Sequence, residues 1–374
     1  MKHWKKILFT VIMLVLTLLG MNFIAGKMSQ HPAAVAYEEI YQGHPTRIHA
    51  LKPGARATIP VGLFGQYAEQ WRASGATYDV AINAQGYRDD PFGEKKAFRI
   101  VALGDSATFG WDVEAAEAWP QVLERLLRES GREVEVLNLG VPGYSSHQGL
   151  LLLPEVWELK PDLLLVAYGR NDELDTAFSP TDHARGRTDA ELMPGDRIVE
   201  PPPRSLLQRL RASALYRLAL RLIAEHKSAP GPDEAKTPDH DDALRRVPLP
   251  QYEANLRKFI AQARAHEVPI VLVNIGCFFE QYRAAMFEVA KQKKVKVLNT
   301  FPLLFAKVEE IKTDPQYADC RQWPERMLGK AVLNSSPGGW LWFSTDFGHP
   351  NACGHQVIAE ALTNLIDLPP PGDS

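Results

Sequence analysis

Apolar residues in this chain fall into two kinds of pattern, and each predicts a different element. Near the N-terminus, Ile7 to Gly26 (ILFTVIMLVLTLLGMNFIAG) is an almost unbroken apolar run in which Asn22 is the only strongly polar residue, preceded by Lys2, Lys5 and Lys6. A helix of that length, at about 1.5 Å per residue, reaches roughly 30 Å, the depth of a bilayer's hydrocarbon core. The pattern predicts a membrane anchor or signal segment over residues 1–26, with the lysines on the cytoplasmic side and the remainder of the chain outside. Ala34-Val35-Ala36 matches an A-x-A cleavage site, so the alternative is a protein secreted after the segment is removed.

From Phe98 onward, short apolar runs alternate with longer helical patterns. Strands are predicted at Arg99 to Leu103, Val134 to Leu139, Leu163 to Tyr168, Ile270 to Asn274 and Val295 to Leu298. Most are apolar nearly throughout, as in strands covered on both faces. Helices are predicted at about Ala118 to Glu129, His147 to Leu159, Tyr252 to His266, Glu280 to Lys291 and Asn351 to Ile366. This alternation defines an α/β fold: a parallel sheet with right-handed crossovers and helices on both sides, its ligand site beyond the C-terminal strand ends. Residues 27–96 read as an irregular lead-in, residues 97–370 as the main domain, and about 175–250 as an insertion within it, carrying Pro201-Pro202-Pro203 and an arginine-bearing helix from about Ser205 to His226.

Composition narrows the function classes. Lys plus Arg number 42 against 45 Asp plus Glu, a net charge of −3, without the basic excess of a nucleic-acid binder. With 45% apolar and 23% charged residues, the chain has the make-up of a folded protein. Cys277, Cys320 and Cys353 fit neither a disulfide scaffold nor a four-thiolate zinc site. Outside the cytoplasm one pair could be oxidised, and the sequence leaves that pairing open.

Candidate chemistry gathers at the strand ends. The first strand runs into Gly104-Asp105-Ser106-Ala107-Thr108-Phe109-Gly110, which would expose Ser106 at the mouth of the sheet with a helix N-terminus behind it. The second ends in Asn138-Leu139-Gly140-Val141-Pro142-Gly143, where Gly140 could turn a backbone N–H into the cleft, and the third in Gly169-Arg170-Asn171-Asp172, where Asn171 offers a side-chain donor for an oxyanion. Before the last helix comes Asp346-Phe347-Gly348-His349. A serine nucleophile needs a base to accept its proton, and the base needs a carboxylate to hold its tautomer. A metal reading of His349, Cys353 and His355 is disfavoured, because His349 would precede the helix that bears the other two.

Individually weak, the four motifs fall in order and each supplies a different part of one acyl-transfer machine. Together they resemble the SGNH or GDSL hydrolases, whose blocks are matched by Ser106 in GDS, Gly140 in NLG, Asn171 in G-x-N-D and His349 in D-x-x-H. Asn83-x-x-Gly86-Tyr87-Arg88 is similar to the lead-in of exported bacterial members. The resemblance implies a flavodoxin-like three-layer α/β/α fold and hydrolysis of acyl esters without metal or cofactor. Its expected machinery is Ser106 as nucleophile, His349 as base, Asp346 as its orienting carboxylate, and an oxyanion hole from the N–H groups of Ser106 and Gly140 and the side chain of Asn171. Asp105 and Asp172 are expected to brace their turns. The expected substrate is a small-molecule or polysaccharide acyl ester, short-chain O-acetyl esters on carbohydrate or lipid being favoured. An O-acyltransferase using the same triad, and an inactive scaffold that binds glycans or a protein partner, are the alternatives.

Overall fold

The computed structural model describes residues 39–61, 75–176, 187–199, 244–277, 279–322, 324–325 and 349–368, together with Met13, Thr17, Gly20, Met21, Leu333, Trp340 and Leu341. The chain divides into two units, residues 1–35 with 200–243 and residues 36–199 with 244–374. In the first unit the described residues are helical, and the Thr17 hydroxyl donates to the Met13 carbonyl at 2.8 Å. Among the described residues no helix is long and apolar enough to cross a membrane. The rest of the Ile7 to Gly26 run and the arginine-bearing helix expected near 205–226 lie outside the described residues.

The second unit opens on two antiparallel hairpins, β1 (Tyr41–His44) with β2 (Ile48–Leu51) and β3 (Arg56–Pro60) with β4 (Thr77–Ala81). This corrects the expectation of an irregular lead-in. The strands are only four or five residues long, too short for alternation to stand out among turn residues. Even so, Ile40, Leu51, Ile59, Val61, Tyr78, Val80 and Ile82 are buried in the same core as the main sheet.

The main body then runs β5 (Phe98–Gly104), α1 (Ser106–Phe109), α2 (Trp119–Glu129), β6 (Val134–Gly140), α3 (Ser146–Glu158), β7 (Leu163–Ala167), α4 (Asp189–Leu192), α5 (Leu249–Ala265), β8 (Ile270–Asn274), α6 (Glu280–Lys293), β9 (Lys296–Asn299), α7 (Thr300–Thr313) and α8 (Ala352–Leu365). Strands β5 to β9 form one parallel sheet in the order β6-β5-β7-β8-β9. Because the order reverses after β6, right-handed crossovers put α2 on one face and α3, α5 and α6 on the other. Helices α7 and α8 complete the α2 side, α8 packing on α2. Every residue of β7 and β8 is buried, as expected for strands between two helical layers.

Helix α7 was not anticipated. Pro302 falls in its first turn, where a missing N–H leaves no hydrogen bond unmade. The register pairs Gly104 with Gly140 on one side and with Ala167 on the other. Three strand ends are therefore level, and the turns leaving them open at the point where strand order reverses, the usual ligand crevice of such sheets. A disulfide joins Cys320 to Cys353, and Cys277 is a buried free thiol.

Candidate active site

The nucleophile turn follows from hydrogen-bond accounting. Asp105 caps α1: its Oδ1 accepts the Ala107 N–H at 2.9 Å, and its carbonyl accepts those of Thr108 and Phe109 at 3.1 and 2.9 Å. Three successive amides are thus used, while the Ser106 N–H has no acceptor among the described residues. Gly110, at φ +82°, ends the helix after one turn. The expected helix behind Ser106 is therefore too short to supply a macrodipole, and what it offers is a single amide. At Gly104 a Cβ would sit 2.0 Å from Thr108 Oγ1, so only glycine lets the turn close over the strand end.

Arg88, from the lead-in, braces the far side of this turn. Its buried guanidinium donates to the carbonyls of Phe109 (3.3 Å), Gly110 (2.5 Å), Asp79 (2.7 Å) and Val113 (2.8 Å), and lies over the rings of Tyr78 and Phe109. Asn83 shapes the segment that delivers it, its Oδ1 accepting the Gln85 and Tyr87 N–H groups at 3.0 and 2.9 Å. The sequence signal was the Asn83-x-x-Gly86-Tyr87-Arg88 string, but its role in holding the serine turn was not legible from it.

His349 meets the serine at the mouth of the sheet. Its Nε2 lies 2.9 Å from Ser106 Oγ, although the two residues are 243 positions apart. The Trp111 ring stands 5.9 Å from the imidazole at an interplanar angle of 30°. Beyond His349, Asn351 caps α8 by accepting the Gly354 N–H, and its own N–H donates to the Leu341 carbonyl at 2.8 Å. Asp346 lies outside the described residues. The disfavoured metal triplet is otherwise engaged: Cys353 is in the disulfide, and the buried His355 uses Nδ1 to accept the Trp119 N–H at 3.1 Å.

The oxyanion side needs a correction. Gly140 does not offer its N–H to the cleft; that group donates to Asn138 Oδ1 at 3.0 Å. Glycine is required there by packing instead, since a Cβ would lie 2.2 Å from Phe109 N and 2.7 Å from the Thr108 carbonyl carbon. Those are backbone atoms of the serine turn and cannot swing aside. Gly140→Ala should therefore cost about 1–3 kcal/mol, as overpacking does, and displace Ser106, which urea unfolding and an ester assay would register together.

Three residues on, Gly143 has φ +83°, is partly exposed, and carries an N–H with no acceptor among the described residues. Gly140 stands nearer the strand end, so the sequence alone does not single out Gly143. Asn171 reaches the same loop, donating through Nδ2 to the Tyr144 carbonyl at 3.0 Å and to Asp105 Oδ2 at 3.3 Å. Asp172 braces, as expected: it is fully buried and accepts the Ser146 N–H and hydroxyl.

Burial raises three carboxyls above the ordinary value of 3.8, Asp105 to about 6 and Asp89 and Asp172 to about 7, against the hydrogen bonds they accept. Between about pH 4 and 7 the folded chain then holds protons that the unfolded chain has released, so these groups make stability fall as pH rises. Melting temperatures measured across that window should show the decline, and Asp172→Asn should flatten it.

Comparison with known proteins gives partial matches. Residues 102–235 match the GDSL-like lipase/acylhydrolase family. The arylesterase of Vibrio mimicus is 35% identical over 77 residues, 20% of this chain and 38% of that protein. The thioesterase 1/protease 1/lysophospholipase L1 of Escherichia coli K12 is 30% identical over 118 residues, 31% of this chain and 53% of that protein. A crystal structure of TesA is 16% identical with a TM-score of 0.38, covering 71% of this chain and 96% of that one. The match thus spans 38% of the Vibrio mimicus enzyme's length. The family match over residues 102–235, together with the four sequence blocks, supports an SGNH/GDSL hydrolase domain.

Proposed function

We propose that the chain is a serine ester hydrolase acting outside the cytoplasm. The observation that carries the reading is the 2.9 Å approach of Ser106 Oγ to His349 Nε2 at the mouth of the sheet, the nucleophile-to-base contact that acyl transfer requires. Ser106 attacks the ester carbonyl while His349 accepts its proton and later delivers it to the departing alcohol, with Asp346 holding the imidazole. The oxyanion is met by the N–H groups of Ser106 and Gly143 and by Asn171, which exchanges its bond to the Tyr144 carbonyl or Asp105 for one to the developing charge. Water then frees the acyl group.

Location and substrate are part of the same proposal. The lysine-flanked apolar run at residues 1–26 supports an anchor that leaves the catalytic domain periplasmic or extracellular, and the Cys320–Cys353 disulfide supports an oxidising compartment. The named activities of the relatives, arylesterase and thioesterase/lysophospholipase, are consistent with acyl esters of small alcohols, sugars or lipids, and short-chain esters are our choice among them. The test is a panel of nitrophenyl esters of graded chain length on the full chain, with a fluorophosphonate probe and a sugar acceptor. Fastest turnover of acetate and butyrate, a labelled Ser106 and free acid as product are expected. Acyl transfer to the sugar would make it a transferase, and an unlabelled Ser106 with no turnover would refute an enzyme.

A further inference from the structure

In the loop between β6 and α3, three consecutive backbone carbonyls are each held by a side chain from a different part of the fold. The Pro142 carbonyl accepts from His49 Nε2 at 3.0 Å, that of Gly143 from Arg246 Nη1 at 2.9 Å, and that of Tyr144 from Asn171 Nδ2 at 3.0 Å. Arg246 is fixed in turn by a buried pairing with Asp189, at 2.9 and 3.3 Å. His49 belongs to β2, in the lead-in hairpin and outside the matched family region.

The first of these contacts bears on the oxyanion hole. No peptide bond described here is cis, and in a trans peptide the C=O and N–H of one unit point in opposite directions. Whatever fixes the Pro142 carbonyl therefore fixes the Gly143 N–H on the other side of the same plane. A carbonyl can only accept, so His49 must carry its proton on Nε2 and donate it. The ring itself is held edge-on by Tyr144 at 5.1 Å and Tyr41 at 5.5 Å, and the Tyr144 hydroxyl donates to the His49 carbonyl at 2.7 Å.

We infer that His49 is a positioning residue for the oxyanion hole, orienting the Pro142–Gly143 peptide so that its N–H faces the reacting carbonyl. The inference rests on the proposed hydrolase reading and on Gly143 as donor. Burial pushes the His49 imidazole down to about 4, so the neutral, Nε2-protonated ring persists across the working range.

The test compares His49→Phe, which keeps a ring between the two tyrosines but has no N–H, with His49→Gln, which keeps a donor and loses the ring. Rates are normalised to sites counted by fluorophosphonate titration, so misfolded molecules drop out. The Phe variant should lower kcat by about 10- to 100-fold, approaching the cost of an oxyanion donor, with KM within about twofold, and the Gln variant should recover most of that loss. A Phe variant with wild-type kcat, or a Gln variant slower than Phe, would overturn the role. Should Phe leave no titratable sites, Gln decides alone: near-normal kcat supports the role, and a loss as large as that expected of Phe refutes it. A wild-type chain that neither hydrolyses esters nor titrates would sink the hydrolase reading itself, a result separate from any of these.

Discussion

Ser106→Ala should leave a folded protein without the proposed ester hydrolase activity. The expected fall in kcat is on the order of 10⁶, the scale seen when a triad serine is removed from a serine hydrolase. What the substitution deletes is small in structural terms: one hydroxyl, partly exposed, whose described partner is His349 Nε2 at 2.9 Å. The turn around it is held by Asp105 and Arg88 and should be undisturbed, so the melting temperature should barely move. Steady-state assay, fluorophosphonate labelling and thermal unfolding of the same preparation separate chemistry from folding. Retained turnover in the alanine variant would move the nucleophile elsewhere.

Loss of the Cys320–Cys353 bridge should act in the opposite way, on stability first. The cystine spans 33 positions, and chain entropy for a loop of that size is worth about 3–4 kcal/mol, which corresponds to a fall in melting temperature of roughly 10 °C. Its location extends the effect to catalysis. Asp346 and His349 lie inside the closed loop, and Cys353 follows His349 by one turn of chain at the start of α8. Cys320→Ala with Cys353→Ala should therefore lower both the melting temperature and kcat. Calorimetry and assay on the double variant check this, and an unchanged melting temperature would show that the segment is fixed by other contacts, such as Asn351 to Leu341.

Much of this was legible in the sequence because the relevant signals are local. Strands β5 to β8 and the helices beside them were bounded to within about three residues, since buried parallel strands read as apolar runs and helices as 3.6-residue patterns. Ser106 and His349 were legible as a pair from chemistry and strand-end position. Gly140 was not read correctly, because whether a glycine serves packing or presents an amide depends on what approaches it, here the Phe109 backbone from another segment. Arg88, Arg246 and His49 escaped for a similar reason: each acts on a carbonyl at least 21 positions away, and any backbone oxygen can accept such a bond, so no residue pattern marks the receiving end. The hairpins were missed because alternation over four or five residues carries little information.

The placement of Arg88 has a practical consequence for anyone exchanging the matched region with that of a GDSL-like relative. A transplant cut at residues 102–235, where family similarity is found, would carry the serine, glycine and asparagine blocks and leave behind the guanidinium that holds the Phe109 and Gly110 carbonyls. The matched region and the contacts that brace its serine turn have different borders in this protein. A chimera that keeps the region from Glu39 should retain the brace on its serine turn, whereas one that starts at Phe98 would inherit the motif without its scaffolding.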